Sequence, residues 1–402
     1  MHILTALTYY RPHYSGLTIY AELLARALAA RGHRVTILTS RFDERLAARE
    51  VCDGVEVFRP RVWMRVSKGV IMPSMPYWAW KLIRQADIVQ VHVPQLDAAP
   101  IALLGRTMGR PVVLTYHCDL RLPHAPIHAL ANLVSDAANH ITARAANAIV
   151  HNTRDYAEHS PFLRRYLPKV HPVYPPIEIT PVTPDDVQAF RKKFNLQPGQ
   201  RLIGIAARLA TEKGVEFLAE ALPQVLERHP KARVLVAGPY QNIVGEEAYA
   251  RRLMPLIESL GEHWTFLGIV SPTEMSAFFH ECEVTVLPSI NPTESFGMVQ
   301  VESMLCGTPV IASDRPGVRV PVRETGAGLL VPQADSQALA QALISVLDQP
   351  GAYRGQPERI THLSTPEGVA AEYEAIFEAC LARNRRELPR KIETIKNLKE
   401  YR

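Results

Sequence analysis

The feature that most constrains this chain is an alternation, run twice, of short β-branched segments with stretches of helical periodicity. In the first half, strands are expected at Ile3–Leu7, Val35–Thr39, Val55–Phe58, Ile88–His92, Val112–Tyr116 and Ala148–His151. Helical sequence fills the gaps, clearest at Thr18–Ala30 with Gly32 as its stop. The pattern pauses where Pro168, Pro172, Pro175, Pro176, Pro181 and Pro184 crowd together. Proline continues neither a helix nor a central strand, so this stretch reads as a linker. A second series follows: Leu202–Ala206, Val234–Ala237, Thr265–Leu267, Val284–Leu287, Val310–Ala312 and Leu329–Val331, with helices such as Val215–Glu227 and Ser336–Leu347. Such alternation is the mark of βαβ units and parallel sheets. A chain of 402 residues suits two domains of about 150–200 residues each. The expected division is 1–175, then 176–362, then a helical segment 363–402, broken near Pro389, that packs back toward the first domain. Two doubly wound units imply a cleft between them, and ligands of such sheets sit beyond the C-terminal strand ends.

Composition narrows the function classes. Apolar residues make up 47% and charged residues 21%, as in a soluble globular protein. The start, Met1-His2-Ile3-Leu4-Thr5-Ala6-Leu7, reads as a buried strand and not as a signal peptide. No run approaches the roughly 18 apolar residues of a membrane span. Five scattered cysteines without a Cys-x-x-Cys pair argue against a disulfide framework or a zinc site and point to the cytoplasm. The net charge of +5 divides unevenly: +9 over residues 1–175, −9 over 176–382 and +5 over 383–402. Either this is drift in composition, or the first half faces an anionic acceptor or membrane surface. Nucleic acid is not expected, because no binding motif accompanies the charge.

Four segments that follow strands carry polar residues suited to chemistry. After Val284–Leu287 comes Pro288-Ser289-Ile290-Asn291-Pro292-Thr293-Glu294-Ser295-Phe296-Gly297-Met298-Val299-Gln300-Val301-Glu302. A helix starting near Phe296-Gly297 and stopping at Gly307 would aim its unpaired N–H groups at an anion such as a diphosphate. Glu302 on that helix suits a vicinal diol such as a ribose, and Glu294 on the loop suits sugar hydroxyls. After Leu202–Ala206, Arg208 and Lys213 lie five apart across a turn and can converge on one diphosphate. Between the first strand and the first helix, Gly16 allows close approach of a phosphate. At the end of Val112–Tyr116, His117 can donate to a sugar hydroxyl or to developing charge, with Asp119 beside it as an acceptor-side residue. Solvated glutamates, an ordinary basic loop and a structural histidine are the bland alternatives. Cys118 beside His117 lacks the oxyanion hole and orienting group that a nucleophile needs.

The segment Glu-Ser-Phe-Gly-Met-Val-Gln-Val-Glu-Ser-Met-Leu-Cys-Gly-Thr-Pro-Val-Ile-Ala from Glu294 resembles the signature of family 4 retaining glycosyltransferases. The resemblance implies the GT-B fold: two Rossmann-like doubly wound α/β domains facing a central cleft, with a C-terminal helix crossing back to the first domain. It implies that Glu302 holds the donor ribose and Glu294 the donor sugar. Phe296, Gly297, Met298 and Val299 would line the sugar and diphosphate. Ala207-Arg208…Lys213-Gly214 resembles the family's Gly-Arg…Lys-Gly element, whose cations neutralise the departing diphosphate; Ala207 replaces the usual Gly. Ser15-Gly16 stands where two glycines are common, which carries the phosphate role to Gly16. His117 resembles the family's N-domain histidine near the reacting carbon. Gly238 would border the diphosphate, and Ile269 and Val270 match the stretch whose backbone meets the nucleobase.

The reaction implied is transfer of a hexose from a nucleotide-diphosphate sugar to an acceptor hydroxyl. Retention and the absence of a metal or other cofactor are implied with it, and there is no Asp-x-Asp or ligand cluster in the sequence. The stretch Arg59-Pro60-Arg61-Val62-Trp63-Met64-Arg65-Val66-Ser67-Lys68, with Tyr77-Trp78-Ala79-Trp80-Lys81, interleaves bases with aromatics as an interfacial patch would. A glycan, lipid or lipid-linked acceptor at an anionic membrane face is therefore expected, unless these residues are core and plain surface. A sugar-nucleotide epimerase of the same fold, or a non-catalytic nucleotide-sugar binder, are the rival readings.

Overall fold

The computed structural model describes residues 1–66, 69–120, 126–243 and 245–400, and within them all side chains but those of 66, 126–131, 350 and 386–400. The chain divides into two compact units. Unit 1 comprises Met1–Pro176 and Thr365–Arg402, and unit 2 comprises Ile177–Ser364.

Unit 1 holds β1 (His2–Ala6), β2 (Arg34–Leu38), β3 (Arg49–Cys52), β4 (Val55–Phe58), β5 (Met64–Val66), β6 (Gly69–Ile71), β7 (Ile88–Val93), β8 (Val112–Tyr116), β9 (Ala148–His151) and β10 (Val170–Pro172). Its sheet runs β10-β9-β8-β7-β1-β2-β4-β3, parallel except for β3. Alternate residues face two separate cores. Val112, Leu114 and Tyr116 enter one, and Val113 enters the other. Both faces are covered, which is why these strands read as continuous apolar runs. Three details differ from the sequence reading. The edge strand β3 exposes all four residues, so no buried pattern marks it. The β5–β6 ribbon stands outside the main sheet. The proline-dense stretch contains β10, whose Pro172 is tolerated because the strand lies at an edge.

The last helix, Pro366–Glu400, is one element and continues through Pro389 instead of breaking there. Proline also sits inside helices at Pro223 and Pro255. In each case the helix loses one backbone hydrogen bond but does not end. The helix belongs to unit 1 for a packing reason. Val369, Ala370, Tyr373 and Phe377 recur at helical spacing and bury against Tyr20, Leu24 and Leu28 of the helix Gly16–Ala30. Arg31 and His33 pair with Glu374 at the rim.

Beneath this contact runs a buried polar chain. The Tyr20 and Tyr373 hydroxyls are 2.8 Å apart, and Tyr373 meets Thr115 Oγ1 at 3.1 Å. Gln90 Nε2 donates to Thr115 at 3.0 Å, and Thr5 donates to Gln90 Oε1 at 3.0 Å. Tyr373→Phe removes the hydroxyl shared by two partners and leaves both buried. It is expected to cost about 1–3 kcal/mol, read as a lower midpoint in urea unfolding.

Unit 2 holds β11 (Arg201–Ala206), β12 (Ala232–Ala237), β13 (Trp264–Gly268), β14 (Val284–Leu287), β15 (Val310–Ser313) and β16 (Gly328–Val331). The order is β13-β12-β11-β14-β15-β16, all parallel. The strand order reverses between β11 and β14 in unit 2, and between β1 and β7 in unit 1. Doubly wound sheets bind ligands at such reversals.

Candidate active site

In unit 2 the loops after β11 and β14 flank the reversal and are laced together. Gly214 ends a single 3-10 turn, Thr211–Lys213, in the left-handed region at φ 63°. A Cβ there would lie 2.2 Å from the Pro288 carbonyl oxygen, so only glycine lets the two loops touch. The Ile290 N–H donates to the Glu212 carbonyl at 3.0 Å. This lacing brings Lys213 Nζ to 2.6 Å from Glu294 Oε2, with side chains only 22% and 15% exposed. Arg208 likewise pairs with Glu212. Burial alone would raise the Glu212 carboxyl, but the Arg208 charge and the neighbouring Lys213 bring it below its ordinary value. The two cations thus come matched with two carboxylates, and Glu212 is a member that sequence spacing did not single out.

The helix after β14 runs Met298–Leu305 with Gly297 as its N-cap, at φ 80°. A Cβ on Gly297 would fall 2.3 Å from Leu287 Cδ2 and 2.7 Å from Gln300 Nε2. The buried Gln300 amide donates to the Phe296 carbonyl at 2.7 Å and to the Val318 carbonyl at 3.0 Å, which pins the entry to the helix. Phe296 is core, while Met298 and Val299 open the helix, where amide N–H groups lack helical acceptors. Glu302 begins the second turn. Its carboxylate makes no hydrogen bond or ion pair among the described residues, and burial pushes it up to about 7. A carboxylate held this way needs a partner that donates.

Elsewhere in unit 2, Gly238 sits at φ 142°, where a Cβ would meet the Ala207 carbonyl oxygen at 2.4 Å. Its lack of a side chain is thus required by the backbone leading to Arg208. Ile269, directly after β13, is 83% exposed, an apolar side chain open at a strand end. Val270 beside it packs toward the Leu235–Ala237 face.

In unit 1, Gly16 is the first residue of its helix, and a Cβ there would meet nothing within 4 Å. Packing among the described residues therefore gives no reason for glycine at this position. His117 follows β8, with its N–H bonded to the Val93 carbonyl at 3.1 Å. Its ring lies 2.9 Å from His92 Nδ1 and edge-on to Tyr20, with centroids 5.0 Å apart. Asp119 Oδ1 accepts from the Tyr116 hydroxyl and from Ser160 Oγ, each at 2.8 Å, so this carboxylate braces its own loop.

Comparison with known proteins decides the family. The model described as "Glycosyl transferases group 1" matches residues 186–361, and "Glycosyl transferase 4-like domain" matches residues 15–176. The chain belongs to the group 1 glycosyltransferases. It is 27% identical over 353 residues to D-inositol 3-phosphate glycosyltransferase 1 of Catenulispora acidiphila, covering 83% of each chain. Sucrose-phosphate synthase from Thermosynechococcus elongatus is similar in structure, with TM-score 0.74 at 22% identity over 95% of this chain and 99% of that one. The Anabaena protein HepE, solved in complex with UDP, gives TM-score 0.65 at 21% identity over 98% and 100%. The fold of this glycosyltransferase is GT-B, with two doubly wound parallel-sheet units.

Within the glycosyltransferase, Arg208, Lys213, Glu294, Gly297 and Glu302 all lie on the two loops and the helix at the unit 2 reversal. In unit 1, Gly16 opens the helix that follows β1, and His117 and Asp119 follow the C-terminal end of β8. Among the described residues no helix is long and apolar enough to cross a membrane.

Proposed function

We propose that this glycosyltransferase moves a hexose from a nucleotide-diphosphate sugar to an acceptor hydroxyl, with retention at the anomeric carbon and without a metal. The observation that carries the donor half is Glu302, a half-buried carboxylate with no partner among the described residues, one turn beyond a glycine-capped helix start. A ribose diol supplies the two missing donors. The helix start receives the diphosphate, helped by about 0.3–1 kcal/mol from the helix dipole. Lys213 and Arg208 supply the positive charge that a metal would otherwise bring. Glu294, held by Lys213, faces the sugar. No nucleophile stands out beside the site among the described residues, so the acceptor attacks from the leaving-group side and its proton passes to the diphosphate. Positioning and electrostatics carry the rate.

The acceptor reading rests on the surface of unit 1. Trp63 is 74% exposed, and Met64, Tyr77 and Trp80 are exposed too. Bases accompany them: Arg61 is open, Lys81 lies over the Trp78 ring and Arg84 over that of Trp80. Ser67 and Lys68 of the expected patch lie outside the described residues. Aromatic side chains with flanking bases suit an anionic lipid face carrying a lipid or lipid-linked acceptor. Flotation with anionic liposomes at low salt is expected to carry the protein to the top fraction, and Trp63→Ala with Trp80→Ala to leave it at the bottom.

The donor is tested by a thermal-shift screen against UDP, GDP and ADP and their sugars. One base is expected to raise the melting temperature, because a ligand bound only by the folded state stabilises by mass action. If none does, the donor reading fails. Turnover of the nucleotide sugar to its epimer without acceptor would replace transfer by epimerisation.

A further inference from the structure

His92 has no part in the donor chemistry so far, yet its ring lies within hydrogen-bond distance of His117. It lies at the end of β7, next to β8 in the sheet, and the register pairs Val93 with Tyr116. The two imidazoles are stacked, with centroids 5.1 Å apart and planes at 23°, and His92 Nδ1 is 2.9 Å from His117 Nε2. Burial lowers His92 to about 3. His117 is lowered well below its ordinary value, by burial first and then by the neighbouring His92 and His151. Both rings are neutral at physiological pH, so one proton bridges them.

Two arrangements are available. In one, His117 Nε2–H donates to His92 Nδ1, which puts the second proton of His92 on Nε2. That atom is buried without a partner among the described residues, so this choice leaves an orphaned N–H. In the other, His92 Nδ1–H donates to His117 Nε2, and only a lone pair of His92 is left unpaired. Buried N–H groups without partners are the rarer and costlier defect. The second arrangement protonates His117 on Nδ1, which has no partner among the described residues. Tyr20 stands edge-on to both rings, with centroids 5.0 Å from His117 and 6.1 Å from His92, and its hydroxyl is held by Tyr373.

We propose that His92 is a positioning residue that fixes His117 as the Nδ1–H tautomer, so that His117 meets the donor sugar as a hydrogen-bond donor and never as a base. This rests on the reading that His117 faces the reacting sugar. It leaves the acceptor's proton to the diphosphate, because an imidazole in this tautomer has no outward lone pair to receive it.

The test is long-range proton–nitrogen correlation NMR on the full chain labelled with 15N-histidine at neutral pH, with His117 assigned by its loss in His117→Ala. The expected result is a protonated Nδ1 and a bare Nε2. His92→Asn, whose side-chain amide can donate from the Nδ1 position, is expected to preserve that pattern and most of kcat. His92→Leu is expected to lose the pattern and lower kcat on the order of 10²-fold, the loss of one preorganised donor, with donor KM unchanged. A wild-type His117 protonated on Nε2 overturns the proposal, as does full activity in a folded His92→Leu. The NMR readout needs no substrate, so it separates this inference from the donor reading. An Nδ1–H tautomer in a protein whose His117→Ala variant transfers normally would take His117 out of the reaction and overturn the functional half.

Discussion

Replacing Lys213 with alanine is expected to lower kcat by about 10²–10³-fold with the fold intact, because it removes a fixed charge aimed where negative charge develops. When the glycosidic bond breaks, the diphosphate gains charge, and a cation already in place gains more in the transition state than in the ground state. Lys213 is held in place by the Gly214–Pro288 contact and by Glu294, so little reorganisation is needed. Its loss also leaves Glu294, 15% exposed, as an unpaired carboxylate, which on the proposed reading lies beside the leaving group. Part of the effect is therefore repulsion, and Glu294→Gln added to Lys213→Ala should recover some activity where independent effects would only accumulate. Arg208→Ala is expected to lose less, since Arg208 is 36% exposed and its charge is shared with Glu212. Steady-state kinetics with the screened donor, beside melting curves, measure all four variants. Turnover surviving the Arg208→Ala, Lys213→Ala double variant in a folded protein would overturn the assignment of these cations.

The central strands were legible because helices cover both faces of each sheet, which makes every strand a continuous apolar run flanked by helical sequence. Elements without that burial were not. Arg49–Cys52 is exposed throughout, and the Met64–Val66/Gly69–Ile71 ribbon pairs only with itself. The site shows the same division. Glu294, Glu302, Arg208 and Lys213 stood out because each follows a strand at a motif spacing. Their partners did not. Gln300 reads as one polar residue in a helix, yet it pins Phe296 from beneath. Glu212 reads as a solvated charge, yet it matches Arg208. His92 lies 25 residues from His117 in sequence and meets it only through the β7–β8 register. Spacing shows which residues share an element, whereas contacts between elements are set by the order of the strands. Three site glycines also divide by cause. Gly214 and Gly297 are required by close contacts and left-handed backbone within the chain, whereas Gly16 has neither constraint. The open space at Gly16 among the described residues fits the phosphate role that the family resemblance gives it.

Glu302 gives the other large effect, and its sign can be worked out. In the free protein burial pushes its carboxyl up to about 7, with no hydrogen bond to offset it. A ribose diol donating two hydrogen bonds favours the ionised form, so the bound carboxyl titrates lower than the free one. Between those two values the complex holds fewer protons than the free protein, and binding releases a proton. Donor affinity should therefore rise as pH increases toward about 7 and level off above it. Glu302→Gln cannot ionise. It is expected to lose about 1.5–3 kcal/mol of binding, on the order of 10–100-fold in Kd, above that pH. Well below it the wild type is itself protonated, and the two proteins should converge. Titration calorimetry with the intact nucleotide sugar is the measurement, since its diphosphate is esterified at both ends and does not titrate near neutrality. The same shift predicts the stability of the ligand-free protein. A carboxyl raised above its unfolded value of about 4.5 is ionised first in the unfolded chain. Its contribution to stability is then greatest below that value and declines as pH rises toward about 7, opposite to its effect on donor affinity. Donor binding that strengthens with pH while the free protein weakens is thus the joint expectation for a diol-binding carboxylate, and a wild type whose affinity matches Glu302→Gln at every pH would remove Glu302 from the donor site.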